Sequence, residues 1–63
     1  MTFALDELVR AHLIAQGVMT PERMTEAVME ALHCSRTEAR EVNRRLFTDR
    51  KAGLRWDGKV VVR

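Results

Sequence analysis

The chain has 63 residues, 46% hydrophobic and 32% charged, with one cysteine and a formal net charge of +2. A chain of this length forms one small domain with a limited core, so residues 1–63 are treated as a single domain. The composition excludes an internal disulfide, and no residues have the spacing of a metal site. No apolar run approaches the ~20 residues of a membrane-spanning helix.

The charges are unevenly distributed along the chain. Residues 1–34 contain two arginines and five acids, a formal charge of −3, whereas residues 35–63 contain nine arginines or lysines and four acids, a formal charge of +5. A positive end of this kind attracts a polyanion. The partner expected from this distribution is nucleic acid or an acidic protein.

The first predicted helix covers residues 3–16. Thr2 is a suitable N-cap, and Gly17 suits the left-handed position that ends a helix. His12 lies within a broad apolar face, where we expect it to be partly buried; the residues of this face are Ala4, Leu5, Leu8, Val9, Ala11 and Ala15. Surplus apolar residues on this helix form a candidate seam between two copies of the chain: Phe3, Leu13 and Ile14.

The second predicted helix covers residues 21–33. Its start, Thr20-Pro21-Glu22, combines a capping residue, a proline at the first helical position and an acid in the first turn. Apolar residues then follow with the spacing of one buried helix face: Met24, Ala27, Val28, Ala31 and Leu32. Between the first two helices, Val18-Met19 could add a short strand to a sheet elsewhere in the chain.

The third predicted helix covers residues 35–51 and opens with a capping box, Ser35-Arg36-Thr37-Glu38. At about 100° per residue, Ala39, Val42 and Leu46 point towards a core. Another face gathers cations and is separated from the acids: Arg36, Arg40, Arg44 and Lys51, with Thr37, Phe47 and Thr48 among them. This sorting predicts a positive surface, although most charged helix faces are merely solvated.

A β-hairpin is predicted over residues 54–62. Asp57-Gly58 between β-rich segments favours a two-residue type I′ turn, in which both residues take positive φ. In that register Trp56 lies opposite Lys59, Leu54 opposite Val61 and Arg55 opposite Val60. Trp56 either packs the hairpin against the helices, which is the favoured interpretation, or stacks on a base.

The predicted elements follow one another as helix, short strand, helix, tight turn, basic helix and hairpin. The residues that define this order are Thr20-Pro21-Glu22, Ala27-Val28, Ala31-Leu32, Ser35, Val42, Leu46, Ala52-Gly53-Leu54 and Asp57-Gly58. The arrangement resembles a winged helix-turn-helix domain, mainly α with a small β-hairpin (α+β), and the resemblance covers nearly the whole chain. It departs from the family pattern at His33, where glycine is common, and in its longer second helix.

The resemblance implies a small DNA-binding protein that regulates transcription. In that family the third helix usually enters the major groove and the hairpin wing touches the minor groove or the backbone. Carried onto this chain, the groove-facing residues are Arg36, Thr37, Arg40, Asn43 and Arg44, and the residues that hold phosphates are Lys51, Arg55 and Lys59. Double-stranded DNA is then the partner, and the expected setting is the cytoplasm of a bacterial or phage-infected cell.

One alternative remains open on the sequence. A winged helix of this size can instead bind a protein and inhibit host machinery, as some phage proteins do, with no role for DNA. Enzymatic activity is not expected, because no nucleophile–base pair, phosphate loop or metal cluster is recognisable. No cofactor is expected either.

Overall fold

The computed structural model describes residues 3–63, with side chains from residue 7 onwards. Within this part of the chain, three helices precede an antiparallel hairpin, so the fold is a small α+β arrangement: α1 is Phe3–Gln16, α2 is Pro21–Leu32, α3 is Arg36–Thr48, β1 is Ala52–Leu54 and β2 is Val60–Val62. None of these helices is long and apolar enough to cross a membrane. The N-cap proposed at Thr2 lies outside the described residues.

The starts of α2 and α3 follow from local capping chemistry, as predicted. Thr20 Oγ1 accepts a hydrogen bond from the Arg23 backbone N–H at 3.2 Å. Ser35 Oγ accepts from the Glu38 backbone N–H at 3.2 Å, and Glu38 Oε1 accepts from the Ser35 backbone N–H at 3.4 Å. These bonds satisfy N–H groups that have no partner within a helix. Both predicted caps are therefore confirmed.

α3 ends at Thr48, three residues before the predicted end at residue 51. Arg50 adopts a left-handed backbone with φ 59°, and its N–H donates to Phe47 O at 3.1 Å. The Lys51 N–H donates to Leu46 O at 2.9 Å. This pair of bonds is a Schellman motif, whose left-handed position glycine usually occupies. Because arginine takes that position here, the sequence carries no signal for the helix end.

α2 also ends at a residue with a left-handed backbone, one residue earlier than predicted. His33 has φ 52° and ψ 44°, and α3 begins three residues later. The left-handed region costs an L-residue roughly 1–2 kcal/mol, which glycine avoids. His33 therefore adopts, in the turn between α2 and α3, the left-handed conformation that glycine usually takes at this position.

Replacing His33 with glycine should stabilise the protein. We expect His33→Gly to raise the free energy of unfolding by about 0.5–1 kcal/mol, because relief of the left-handed strain exceeds the entropy that glycine adds to the unfolded chain. Urea denaturation followed by circular dichroism measures the change. His33→Ala removes the imidazole but keeps the strain, so it is the control. A gain in stability with alanine as large as that with glycine would contradict the strain argument.

The core lies between α1, the inner faces of α2 and α3, and the hairpin. The residues predicted for α3, Ala39, Val42 and Leu46, are buried, and Leu32 of α2 is only partly buried. The other buried apolar residues are Val9, Leu13, Met19, Met24, Ala27, Val28, Ala52, Val60 and Val62. The helix faces of α2 and α3 are thus rotated as the apolar spacing predicts.

The face of α1 needs three corrections. Leu8, Ala11 and Ala15, which were expected on the apolar face, are exposed. His12 is exposed rather than partly buried, and its ring Nε2 lies 2.8 Å from Gln16 Nε2. Leu13 is fully buried, so it cannot form the expected seam between two copies. Ile14 is 46% exposed, and the side chain of Phe3 lies outside the described residues. The core takes Leu13 because Val9 and Leu13, spaced i and i+4, point to one side of the helix.

The hairpin register also differs from the prediction by one residue. Leu54 pairs with Val60, and Ala52 pairs with Val62. A three-residue loop of Trp56, Asp57 and Gly58 replaces the two-residue turn, and Gly58 has φ 82°. The predicted register would set Arg55 opposite Val60, which is fully buried. The observed register sets Leu54 opposite Val60 and pairs the buried Ala52 with the buried Val62.

The expected short strand at Val18-Met19 is reduced to a single bridge. The Met19 N–H donates to Val60 O at 3.2 Å, and the Val60 N–H donates to Met19 O at 2.6 Å. This antiparallel bridge ties the segment between α1 and α2 to the hairpin. The hairpin is therefore held by backbone bonds as well as by the burial of Val60 and Val62.

Candidate nucleic-acid interface

One side of α3 is open to solvent and rich in cations. Burial of Ala39, Val42 and Leu46 sets the rotation of the helix, because residues three and four apart share a face. The opposite side then exposes Arg36, Thr37, Arg40 and Arg44, which we call the basic face. Two of its members lie in the first helical turn, close to the positive end of the helix dipole.

An acid lies closer to the basic face than the sequence suggested. Glu41 Oε1 is 3.6 Å from an Arg44 guanidinium nitrogen, and their side chains are 62% and 77% exposed. An exposed pair of this kind contributes little to stability, but it lowers the positive potential around Arg44. Arg36 and Arg40 form no ion pair with another described residue. The basic-face arginines without an ion pair therefore lie in the N-terminal half of α3.

Asn43 does not belong to the basic face, contrary to the prediction. Its side chain is half-buried, and Nδ2 donates to Thr25 Oγ1 at 3.0 Å. Thr25 Oγ1 in turn donates to Pro21 O at 3.2 Å. Asn43 Oδ1 is buried without a hydrogen-bond partner among the described residues. This residue thus links α3 to α2 and is not available to read a base.

Lys51 is also displaced from the predicted face, because α3 has ended before it. Its ammonium donates to Glu7 Oε1 at 3.3 Å, which joins the end of α3 to α1. The hydrogen bond from Lys51, with a further one from Arg10, lowers the pKa of the Glu7 carboxyl. A phosphate contact by Lys51 would have to replace this partner.

The hairpin presents its cations on either side of the loop. A guanidinium nitrogen of Arg55 lies 3.4 Å from Asp57 Oδ2. Lys59 is exposed and forms no ion pair with the residues that the structure describes. Of the hairpin cations predicted to hold phosphates, Lys59 is therefore free to bind, whereas Arg55 must first leave a carboxylate.

Trp56 stands out from the hairpin instead of packing on the helices. It is 93% exposed, and the neighbouring Leu54 is 66% exposed. The favoured packing interpretation of Trp56 is wrong, because the longer loop carries its side chain away from the body. Arg50, exposed beside the end of α3, was not among the predicted contacts. The exposure of Trp56 and the position of Arg50 both depend on where an element ends, which no local sequence signal marks.

The residues predicted to contact DNA therefore fall into two exposed groups, the basic face and the hairpin cations Arg55 and Lys59, with Asn43 and Lys51 in neither. Over the described residues, no cluster of histidine, cysteine or acidic side chains could hold a metal ion. No family model, curated protein or solved structure matches the chain.

Proposed function

We propose that this protein is a small DNA-binding regulator of the winged helix-turn-helix type, with α3 in the major groove and the hairpin as its wing. The observation that carries the proposal is the basic face, where Arg36 and Arg40 are exposed without an acidic partner among the described residues. The order of three helices and a hairpin supports it. So does the formal charge of +5 on residues 35–63.

The chemistry of the basic face suits a DNA groove. An arginine can donate two hydrogen bonds to the O6 and N7 atoms of guanine, and a threonine can contact a base or the thymine methyl group. Recognition helices place residues near their N-termini against base edges. Arg36, Thr37 and Arg40 occupy that part of α3. We assign base contacts to these residues and a phosphate contact to Arg44, which the Glu41 pair partly neutralises.

The hairpin would contribute phosphate contacts. Lys59 is the strongest candidate, because it is exposed and has no carboxylate partner among the described residues. Arg55 would exchange Asp57 for a phosphate, and Lys51 would exchange Glu7. Each exchange costs part of the electrostatic gain, so both side chains should contribute less than Lys59.

Binding of labelled duplexes over a series of salt concentrations tests this proposal. We expect the affinity to fall steeply with salt, because each phosphate contact releases a counterion. Lys59→Ala should weaken binding to all sequences alike and reduce the slope of log affinity against log salt by about one unit. Sedimentation of the same mixtures counts the chains on each duplex, since a single small module seldom supplies enough interface for specificity.

Arg23→Ala is the matched control for this experiment. Arg23 is a cation of α2 that pairs with Glu30 at 3.2 Å and with Glu26 at 3.7 Å. It lies in residues 1–34, the acidic part of the sequence. Its removal should leave the salt slope unchanged. Absence of duplex binding by the parent protein at low salt would contradict the proposed function.

A second function, binding to a protein of the host machinery without DNA, is favoured by one surface. Leu8, Ala11 and Ala15 are all exposed on α1. Their spacing of i, i+3 and i+7 places them along one side of the helix, with Leu8 66% exposed. An apolar line of this kind suits a protein surface better than a phosphate backbone. Failure of the parent protein to bind any duplex would make this the preferred function.

A further inference from the structure

The tip of the hairpin carries an aromatic side chain that the fold itself does not use. Trp56 is 93% exposed, although an indole ring can bury about 150–250 Å² when a partner covers it. Leu54, two residues earlier in the chain, is 66% exposed. The ring can therefore contribute most of its burial free energy by packing against a partner.

The backbone that carries Trp56 is well ordered by its own hydrogen bonds. The Arg55 N–H donates to Lys59 O at 2.7 Å, and the Gly58 N–H donates to Arg55 O at 3.0 Å. Asp57 Oδ1 accepts from the Lys59 backbone N–H at 3.1 Å. The loop is held from both sides while the indole points into solvent. Because the backbone is already held, binding has to order only the side chain of Trp56.

Cations flank this ring. Arg55 and Lys59 are exposed on the two arms of the hairpin, and Lys59 has no acidic partner among the described residues. Cations that hold phosphates, combined with an aromatic ring that stacks on a base, are the usual means of binding unpaired nucleotides. We infer that Trp56 stacks on an unpaired base in a DNA duplex, beside phosphates held by Lys59. This inference rests on the proposed DNA-binding function.

An unpaired base is favoured over an intact duplex for an energetic reason. A ring that enters a paired stack must first separate two base pairs, and proteins that do so recover the cost by wrapping a large DNA surface. The longest dimension of this molecule is 33 Å, about one turn of B-DNA. So small a module recovers little of that cost, whereas a bulged base is already unpaired and is exposed at a lower cost. Trp56 and α3 would contact points within about one turn of each other.

The test compares two duplexes that differ only at one position. One carries a single bulged adenine, and the other carries an abasic residue at that position, so both have the same phosphates. We expect the parent protein to bind the first about 5- to 100-fold more tightly. The chain has one tryptophan and no tyrosine, so quenching of its fluorescence reports on Trp56 alone. Anisotropy of the labelled duplexes gives the affinities.

Substitutions separate stacking from general binding. Trp56→Ala should bind both duplexes equally, with the affinity of the parent protein for the abasic one, and Trp56→Phe should keep part of the preference. Leu54→Ala, which removes another exposed apolar side chain of the hairpin, should keep all of it. Equal, salt-dependent binding of both duplexes by the parent would overturn this inference and leave the proposed function standing. A preference that survives Trp56→Ala would also overturn it. Binding of neither duplex at low salt would overturn both proposals.

Discussion

Truncation of Leu13 should destabilise the protein more than any change on its surface. Leu13 is among the largest fully buried side chains, and Leu13→Ala should lower the free energy of unfolding by about 2–5 kcal/mol through lost burial and the cavity that remains. A domain of this length has a total stability of only about 3–9 kcal/mol. Urea denaturation followed by circular dichroism should show a large fall in the midpoint or an unfolded variant.

Leu8→Ala provides a matched control in the same helix. It is the same chemical change, but Leu8 is 66% exposed. Its effect on the free energy of unfolding should stay within about 0.5 kcal/mol, because no cavity forms. Similar losses for the two variants would mean that α1 packs on the core through a different face. The same pair of variants also tests the correction of the expected seam, since only a buried Leu13 predicts so large a difference.

Removal of Arg40 should have the largest effect on DNA binding among single substitutions in the basic face. Arg40 is exposed near the middle of that face and has no ion pair among the described residues. On a preferred site, obtained by selection from random duplexes, Arg40→Ala should cost about 1–3 kcal/mol of binding free energy and relax the preference at one base position. The unfolding free energy should barely change, which circular dichroism can check.

Glu41→Gln should act in the opposite direction. The carboxylate of Glu41 lies 3.6 Å from an Arg44 nitrogen, so its neutral isostere frees a cation for phosphate and removes a repulsive charge. We expect tighter binding by about 0.2–1 kcal/mol, the range of an exposed ion pair, on preferred and scrambled duplexes alike. If Arg40→Ala weakens DNA binding and Glu41→Gln strengthens it, the two effects cannot both come from a general loss of folding. Weaker binding by Glu41→Gln would contradict the orientation of the basic face.

The proposed site could be read from the sequence only in part. The exposure of Arg36, Thr37 and Arg40 follows from the apolar spacing on the other side of α3, and the structure agrees with it. Asn43 could not be placed in this way. Its position lies at the border between the open and buried sides, and its hydrogen bond to Thr25 joins residues far apart in the sequence. Whether a residue at this border is exposed or buried depends on its neighbour on another helix, which the apolar spacing does not predict.

The sequence by itself determined the helix starts, because capping joins atoms only three residues apart. The bonds between Thr20 and Arg23 and between Ser35 and Glu38 join residues three apart, so the local sequence signals them. The apolar spacing of α2 and α3 is equally local, since helical periodicity assigns a face to each residue. Three helices followed by a hairpin could thus be predicted without coordinates.

The tertiary structure decided the register of the hairpin, the end of α3 and the exposure of Trp56. Val60 is fully buried and bonded to Met19, so β2 is held against the helices. The register that pairs the buried Ala52 with the buried Val62 requires a three-residue loop, and Trp56 lies exposed in this loop. These features depend on the burial of segments that are far apart in the sequence. A local turn signal such as Asp57-Gly58 carries no information about that burial.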